Sequence, residues 1–425
     1  MAVTVPVQLR PGSLTRRPGW LSFVWWVAGA ALMLLLGGWA AWGLPTAQEL
    51  EEARLMLAGG LLAYGGSVVI TRRVSAVDIG HIQTTMAAVT TAAAFAGLSV
   101  MLLFTRTYYS RSFLLTAAGV ALVWLVAGRI LKHRLFRPTF AVEPGAVRPE
   151  ALALRTVDWV PVKSPMRPSV SVDAVVANRE VEDPDWQRFH TQCEVSGLPV
   201  LHGPLISERL TGRVSLQWLS GGHLAELQPH PVYAPFKRLL DLLIVALTAP
   251  VVLPLGILVA LAIRLESPGP VFFIQDRVGQ GGWLFPMVKF RSMRIDAEDD
   301  GAQFADEEDA RITRVGRFIR RTRLDELPQF WNVLKGEMSL IGPRPEQREF
   351  VEHFETVIAF YGYRHLVKPG ITGWAQVMQG YADSDDDTRE KLEYDLYYTK
   401  HCSIWFDLLI IFRTLRIIVT GFGAR

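Results

Sequence analysis

The sequence predicts a membrane protein in three parts: an α-helical N-terminal membrane bundle, a small cytosolic α/β module and a mainly α-helical C-terminal domain attached through a further apolar helix. Three observations predict it. Half of the 425 residues are hydrophobic. Four apolar runs crowd residues 19–135, and a Pro- and Arg-rich stretch, 136–232, follows them. A fifth apolar run, with an uncharged core Leu242–Ile263, then leads into a long segment dense in charge.

The four runs are Leu21–Leu44, Leu55–Ile70, Thr84–Phe104 and Phe113–Leu131. A bilayer crossing takes about 20 apolar residues, with a lower limit near 17, so three suffice and the second is marginal. Residues 1–18 form a tail. No small-residue cleavage site follows the first run, which therefore reads as a retained anchor. Arg16 and Arg17 precede the bundle, Arg72 and Arg73 follow the second run, and Arg129, Lys132, Arg134 and Arg137 follow the fourth; the first loop carries Glu49, Glu51 and Glu52. Basic residues collect on the cytoplasmic side, which puts both ends of the bundle there, although Arg106 and Arg111 run against this. The net charge of +3 gives no argument for nucleic acid, and two cysteines with nine scattered histidines give none for a disulfide framework or a zinc cluster.

Within 136–232, Val172–Val176 and Leu198–Leu201 read as buried strands around a helix, Asp183–Val195. No G-x-G-x-x-G follows either strand, so the module reads as a spacer or assembly element before a ligand-binding one.

The fifth run, Phe236–Leu265, contains Pro250 and Pro254. An interior proline removes a backbone hydrogen bond and bends a helix. Two readings follow: a kinked ordinary span, or a re-entrant helix that turns back near Pro250 and leaves Lys237, Arg238 and Arg264 at one set of headgroups.

Beyond it, PVFFIQDRVGQGGWLFPMVKFRSM reads as two strands around a Gly-rich turn. An acidic loop, Asp296–Asp309, resembles a calcium loop only loosely and reads as solvated. In ARITRVGRFIRRTRLDEL, Ile312, Val315, Phe318 and Ile319 share one helical face and Arg314, Arg317 and Arg321 another. Asp325 and Glu326 follow directly. Residue types alone allow a helix start, with Asp325 as cap, Glu326 at the positive helix end and Pro328 in the first turn. They equally allow phosphate chemistry, in which one carboxylate attacks phosphorus and the other holds a metal; the arginine density, Lys289 with Arg291, and Gly342-Pro343-Arg344-Pro345 point that way. Lys368–Gly380 is a Pro-Gly loop that reads as a turn or as a cover over a ligand. The last apolar segment carries Arg413 and Arg416, costly at a bilayer centre, so it reads as a surface or packed helix rather than a span.

Taken in order, KRLLD, GPVFFIQDRVG, KFRSM, RTRLDELPQFWNVLKGEMSLIGPRP, KPGITGWAQV and EYDLYY make the chain from Lys237 onward resemble the bacterial sugar transferases, monotopic phosphoglycosyl transferases, in their large form. The resemblance implies the whole layout: tail 1–18, four-helix bundle 19–135, degenerate nucleotide-fold-like module 136–232, a re-entrant helix 233–265 broken near Pro250, and a catalytic domain 266–425 ending in a membrane-surface helix. It implies transfer of a sugar 1-phosphate from a UDP-sugar to a polyprenyl phosphate, undecaprenyl phosphate, with release of UMP, starting a surface polysaccharide. Asp325 would be the nucleophile and Glu326 the Mg2+ ligand. Lys289, Arg320 and Arg344 would handle phosphate, with Arg291 a weaker candidate, and Thr372, Trp374 and Gln376 would lie in the donor cover. In some members of the family a serine precedes the breaking proline; this chain has Ala249, with Thr248 before it. Membrane lipid is an implied partner, nucleic acid is not, and a homodimer stays open. The implied location is the bacterial inner membrane with the catalytic domain on the cytoplasmic face. Two other readings stay beside this one: direct transfer with Asp325 as a base, and a non-catalytic membrane scaffold for polysaccharide assembly.

Overall fold

A computed structural model describes residues 19–75, 82–135, 137–154, 157–166, 170–178, 183–219, 227–228, 233–294, 311–379 and 384–420. The tail 1–18 and the acidic loop of the sequence reading lie outside them. The chain divides into two compact units, residues 1–212 and 213–425, each described by itself.

The first unit begins with helices α1 (Gly19–Trp42), a short α2 (Ala47–Glu52), α3 (Arg54–Ser75), α4 (Ile82–Phe104) and α5 (Arg111–Leu135). All but α2 are long and apolar enough to cross a membrane, as the four runs predict. Met33, Met56, Leu102 and Phe113 fill the bundle core. Small residues let the helices approach: a side chain at Gly59 would strike Leu98, and one at Gly37 would press on Phe113. Thr46 and Glu49 cap α2 reciprocally, a short helix that hydropathy does not reveal.

The rest of this unit is an α/β layer: β1 (Thr139–Val142), α6 (Pro149–Leu152), β2 (Asp158–Pro161), β3 (Ala174–Ala177), α7 (Pro184–Val195), β4 (Val200–His202) and α8 (Gly203–Thr211). The four strands are parallel, in the order β2-β1-β3-β4. The expected strands and helix are present as β3, β4 and α7. Strands β1 and β2 are half-buried, four-residue pieces, too short for a periodic signal.

The second unit opens with α9 (Tyr233–Glu266), a helix that runs through Pro250 and Pro254. The expected break near Pro250 is thus not a gap in helical backbone. The buried side chains of α9 are Asp241, Val245, Val259 and Ile263, all on one face. Pro250 is about two and a half turns from Asp241 and Val259, and Pro254 the same from Val245 and Ile263, so both prolines sit on the opposite face. The Thr248 hydroxyl bonds Ile244 O (2.8 Å) and Val245 O (3.3 Å). It therefore does not take up the carbonyl of Ala246, the one Pro250 leaves without its usual donor.

Both ends of α9 are tied into this unit, which continues as β5 (Phe272–Val278), β6 (Leu284–Phe290), α10 (Arg314–Arg321), α11 (Gln329–Lys335), β7 (Ser339–Ile341), α12 (Arg348–Val357), β8 (Gly370–Thr372), α13 (Trp374–Met378), α14 (Asp385–His401) and α15 (Ile404–Thr420). The KRLLD motif explains itself residue by residue. Lys237 Nζ pairs with Asp407 (2.5 Å). Arg238 donates to the Val333 and Leu334 carbonyls at the end of α11, the negative end of a helix. Asp241 accepts from Ser339 Oγ at 2.8 Å. At the other end, Glu266 accepts from the Arg314 and Val315 amides at 2.8 and 3.0 Å, capping α10.

Strands β5 and β6 form the expected antiparallel hairpin, with Phe273 opposite Lys289. Strands β7 and β8 pair in parallel, joined by a crossover through α12. Helix α15 packs Phe406, Leu409 and Ile410 into the core. In α10, Ile312 before it and Ile319 within it are buried, but Phe318 turns outward and is exposed.

Asn332, completely buried, sews α11 to the hairpin: its amide accepts from Val288 N (3.0 Å) and donates to Pro286 O (2.8 Å) and Glu337 (2.7 Å). Asn332→Ala takes this partner from Val288 N and Pro286 O, at about 1–3 kcal/mol for each unsatisfied buried group, while Glu337 keeps Lys335 at 3.4 Å. We expect a melting temperature lower by roughly 5–10 °C in detergent; an unchanged value overturns this account of how α11 is held.

Candidate active site

The dyad lies between α10 and α11 in a single 3-10 turn, Leu324–Glu326, entered through Arg323, whose backbone is left-handed (φ 58°). Helix α11 starts only at Gln329, with Pro328 at its cap position and no side-chain cap bond. The cap reading of Asp325 therefore fails. Among the described residues its Oδ1, which is buried, has no hydrogen-bond partner. Glu326 is buried, and its Oε1 lies 3.1 Å from Arg344 Nη1 and 3.6 Å from Arg323 Nη1.

The two carboxylates are pushed apart in acidity. Burial, then the charge of Glu326, raises the Asp325 carboxyl to about 6, against the pull of Lys289, Arg323 and Arg344. Burial also pushes Glu326 up, but Arg344, Lys289 and Arg323 outweigh it and hold Glu326 below its ordinary value. Burial and then Arg344 lower the Lys289 ammonium to about 8, while Glu326 and Asp325 oppose them. At neutral pH Glu326 and most of Asp325 are ionised and Lys289 is largely charged. The site holds two anions against three nearby cations, with one carboxylate oxygen unengaged.

Arg344 is itself positioned. Its carbonyl accepts from Arg364 Nη2 at 2.9 Å. Buried Arg364 also bonds Asp395 through Nε (3.1 Å) and Nη2 (2.8 Å), and Tyr361 OH through Nη1 (2.7 Å). Asp395 comes from the EYDLYY motif on α14. Glu346 pairs with Lys391 at 2.5 Å, and although burial opposes it, Lys391 and Arg364 bring the carboxyl to about 2. The Gly-Pro-Arg-Pro loop is fixed from its other side by backbone. Gly342 N donates to Thr372 O and Gly370 N to Pro343 O, both at 2.9 Å. Side chains at Gly342, Gly370 or Gly373 would meet the facing backbone at 2.0–2.2 Å, so only glycine permits this approach.

The structure thus brings together Asp325, Glu326, Lys289 and Arg344. Arg320 sits half-buried in the last turn of α10 and is not among the charges acting most strongly on the dyad. Arg291 is placed elsewhere: buried, its Nη atoms bond Pro268 O, Ser267 O and Ser267 Oγ, bracing the turn after α9. The KPGITGWAQV segment is a strand and a helix rather than an open cover. Trp374 is buried against Tyr397 and Phe406, with Arg413 4.6 Å over its ring. Thr372 Oγ1 pairs with Thr414 (2.7 Å), and Gln376 Nε2 reaches Ile371 O at 3.4 Å, leaving its Oε1 buried without a partner. All three side chains are engaged within the domain, and the contact to the arginine loop is made by the Thr372 carbonyl. The residues that sequence reasoning leaves unassigned are Arg323, Arg364, Glu346 and Lys391. Only the presence of Asp395 within EYDLYY hints at them.

Among the described residues no cluster of three or more His, Cys, Asp or Glu side chains could hold a metal. Magnesium, however, is commonly held by one or two carboxylates plus substrate phosphates. Glu326, a buried carboxylate next to Asp325, fits a magnesium ion whose other ligands would come from a diphosphate.

A family model described as bacterial sugar transferase matches residues 232–421. The chain is 43% identical over 403 residues to a UDP-N-acetylgalactosamine-undecaprenyl-phosphate N-acetylgalactosaminephosphotransferase of Aeromonas hydrophila, covering 93% of this chain and 94% of that one. It is 44% identical over 181 residues to a UDP-glucose:undecaprenyl-phosphate glucose-1-phosphate transferase of Escherichia coli K12, 42% of this chain and 39% of the other. A protein of the same name from Xanthomonas campestris is 46% identical over 183 residues, 42% and 37% of the two chains.

A raised carboxyl in the folded state is a stability cost once ionised: folding binds the proton more tightly, so stability falls as pH rises from the ordinary value of 3.8 through about 6. Asp325→Asn removes that cost. At pH 7.5 we expect the variant to be more stable by about 1–3 kcal/mol, with the gain fading below pH 6 and absent near pH 4. Parallel thermal melts across that range check it; a variant less stable at pH 7.5 contradicts the burial of charge described here.

Proposed function

The chain belongs to the bacterial sugar transferase family, and we propose that it moves a sugar 1-phosphate from a UDP-sugar to undecaprenyl phosphate through a covalent intermediate on Asp325. The observation that carries this reading is the buried, unpartnered Oδ1 of Asp325 beside a Glu326 already neutralised by arginine. A carboxylate held from water without a hydrogen bond is poised as a nucleophile. UDP-N-acetylgalactosamine is the first donor to test, because the relative matched along nearly its whole length is named for it, whereas the two glucose-named relatives above match over 42% of this chain.

In the first step an Asp325 oxygen attacks the β-phosphorus of the UDP-sugar. The bond from that phosphorus to the bridging oxygen breaks, and UMP leaves with the electron pair. Lys289 and Arg344 stabilise the negative charge that develops on the phosphoryl and leaving oxygens. In the second step an oxygen of undecaprenyl phosphate attacks the same phosphorus and restores the Asp325 carboxylate, giving undecaprenyl-diphosphate sugar, the first lipid-linked unit of a surface polysaccharide. Glu326 and the substrate phosphates would hold magnesium, which when bound supplies further charge neutralisation at the transferring group. The deep Arg364–Asp395 pair keeps Arg344 aimed through both steps.

Helix α9 is read as re-entrant. Its two ends bond Val333–Leu340 and Arg314–Val315 of one charged unit, which cannot follow the helix across a bilayer. The middle of α9 exposes Leu247, Val251, Leu253, Ile257 and Leu258. Prolines on the outer face open that face and favour a bend toward the domain. Trp331 and Phe318, exposed on the helices that pack against α9, suit the headgroup level. The active site then lies at the cytoplasmic face of the bacterial inner membrane.

Incubated with UDP-N-acetylgalactosamine and magnesium but no lipid acceptor, the protein should release about one UMP per site and gain the mass of a phosphosugar on Asp325; full turnover without any such adduct refutes the covalent step. For topology, cysteines at exposed Ala234, in the first turn of α9, and at exposed Pro270, after its end, should both label from the cytoplasmic side alone. Labelling from opposite sides would show a crossing.

A further inference from the structure

Arg323 is the residue in the site with the least ordinary backbone. At φ 58°, ψ 18° it occupies the left-handed region, which residues with a Cβ seldom enter and which persists where the surroundings impose it, often at functional positions. That conformation turns the side chain back over the dyad. Its guanidinium stands 3.6 Å from Glu326 Oε1, the same oxygen that Arg344 contacts at 3.1 Å. The two arginines differ in how firmly they are held. Arg344 hydrogen-bonds Glu326 and has its carbonyl fixed by Arg364. The Arg323 side chain is 40% exposed and stands beyond hydrogen-bond distance of Glu326. Lys289 completes the group from within. Arg344 is nearly as exposed, at 31%, so the difference is one of tethering: Arg344 is hydrogen-bonded to Glu326 and braced by Arg364, and Arg323 stands off Glu326 without a hydrogen bond.

We propose that Arg323 is a phosphate clamp: it offsets the charge of Glu326 while the site is empty and moves its guanidinium onto a phosphate oxygen of an entering substrate. The fork of N–H donors matches a phosphate far better than the single 3.6 Å approach to Glu326 uses it. A swing of an exposed side chain accomplishes the exchange without moving the backbone. The phosphate oxygen could belong to the diphosphate of the UDP-sugar or to undecaprenyl phosphate. The proposal rests on the phosphosugar-transfer reading above.

Arg323→Gly is the informative variant, because glycine occupies the left-handed region freely and only the guanidinium is lost. Arg323→Lys keeps the charge and loses the fork. In an Asp325→Asn background, isothermal titration with UDP-N-acetylgalactosamine and magnesium reads donor binding without chemistry. In the otherwise native protein, the UMP burst without acceptor and the discharge of preformed adduct by undecaprenyl phosphate read the two steps separately. For a clamp on the donor, Arg323→Gly weakens binding and slows the burst by at least about tenfold, and discharge is spared. For a clamp on the acceptor, the burst is spared and discharge slows by a similar factor. In both cases the melting temperature stays equal or rises, and Arg323→Lys falls between. Donor affinity, burst and discharge all equal to those of the unmodified protein overturn the proposal, as does a loss that tracks a lowered melting temperature. If the unmodified protein forms no adduct, the covalent reading fails instead, and the titration still decides whether Arg323 holds phosphate.

Discussion

Two carboxylates adjacent in sequence and kept from water need positive charge close by, and much of the polar architecture of the second unit answers that need. The inner cations arrive from separate elements. Lys289 comes from the hairpin strand β6, and Arg344 from the loop after β7. Each is supported in turn: β6 is stitched to α11 by Asn332, and the Arg344 loop is held by Arg364 and, behind it, Asp395 of α14. Buried pairs of this kind add little net stability, because desolvation cancels most of their attraction. Their value lies in fixing the direction of Arg344. An arginine misaimed by one rotamer would leave Glu326 as an uncompensated buried charge.

The long apolar helix α9 belongs to the same scheme. Through Arg238 it neutralises the end of α11, through Asp241 it grips the start of β7, and through Glu266 it caps α10. Two of those elements, α10 and α11, flank the dyad, and the third, β7, leads into the Arg344 loop. Helix α9 is therefore also a structural member of the candidate site, and the position of the dyad relative to this apolar helix is set by bonds internal to this unit.

How much of this was legible in the sequence depends on the kind of signal. Long apolar runs announced α1, α3, α4, α5 and α9, because hydropathy over about 20 residues is hard to mistake. The β5–β6 hairpin was legible from its alternation and its glycines. The dyad with Lys289 and Arg344 was legible only as a set of ordered motifs. What stayed hidden depends on contacts between residues distant in sequence. Arg291 and Trp374 carry the residue types of a binding site, yet Arg291 spends its donors on Ser267 and Pro268, and Trp374 lies in an aromatic core. Nothing local separates those roles. Asp325 looked like a cap because the residues after it suit a helix start, but the left-handed Arg323 sets a 3-10 turn there and delays α11 to Gln329. The short strands β1 and β2 lacked the length to show a period.

The glycines at 342, 370 and 373 press two stretches of main chain against each other with no side chain between them. Such a joint has almost no conformational freedom left to lose. The wall that carries Arg344 is ordered as the protein folds, so an arriving ligand does not have to organise it. The entropy of arranging that wall is settled before any substrate appears, and the binding energy of the phosphates stays available for the reacting bond. The same joint leaves the crossover through α12 as the place where insertions can be absorbed, since a change of length on either strand would break the fit.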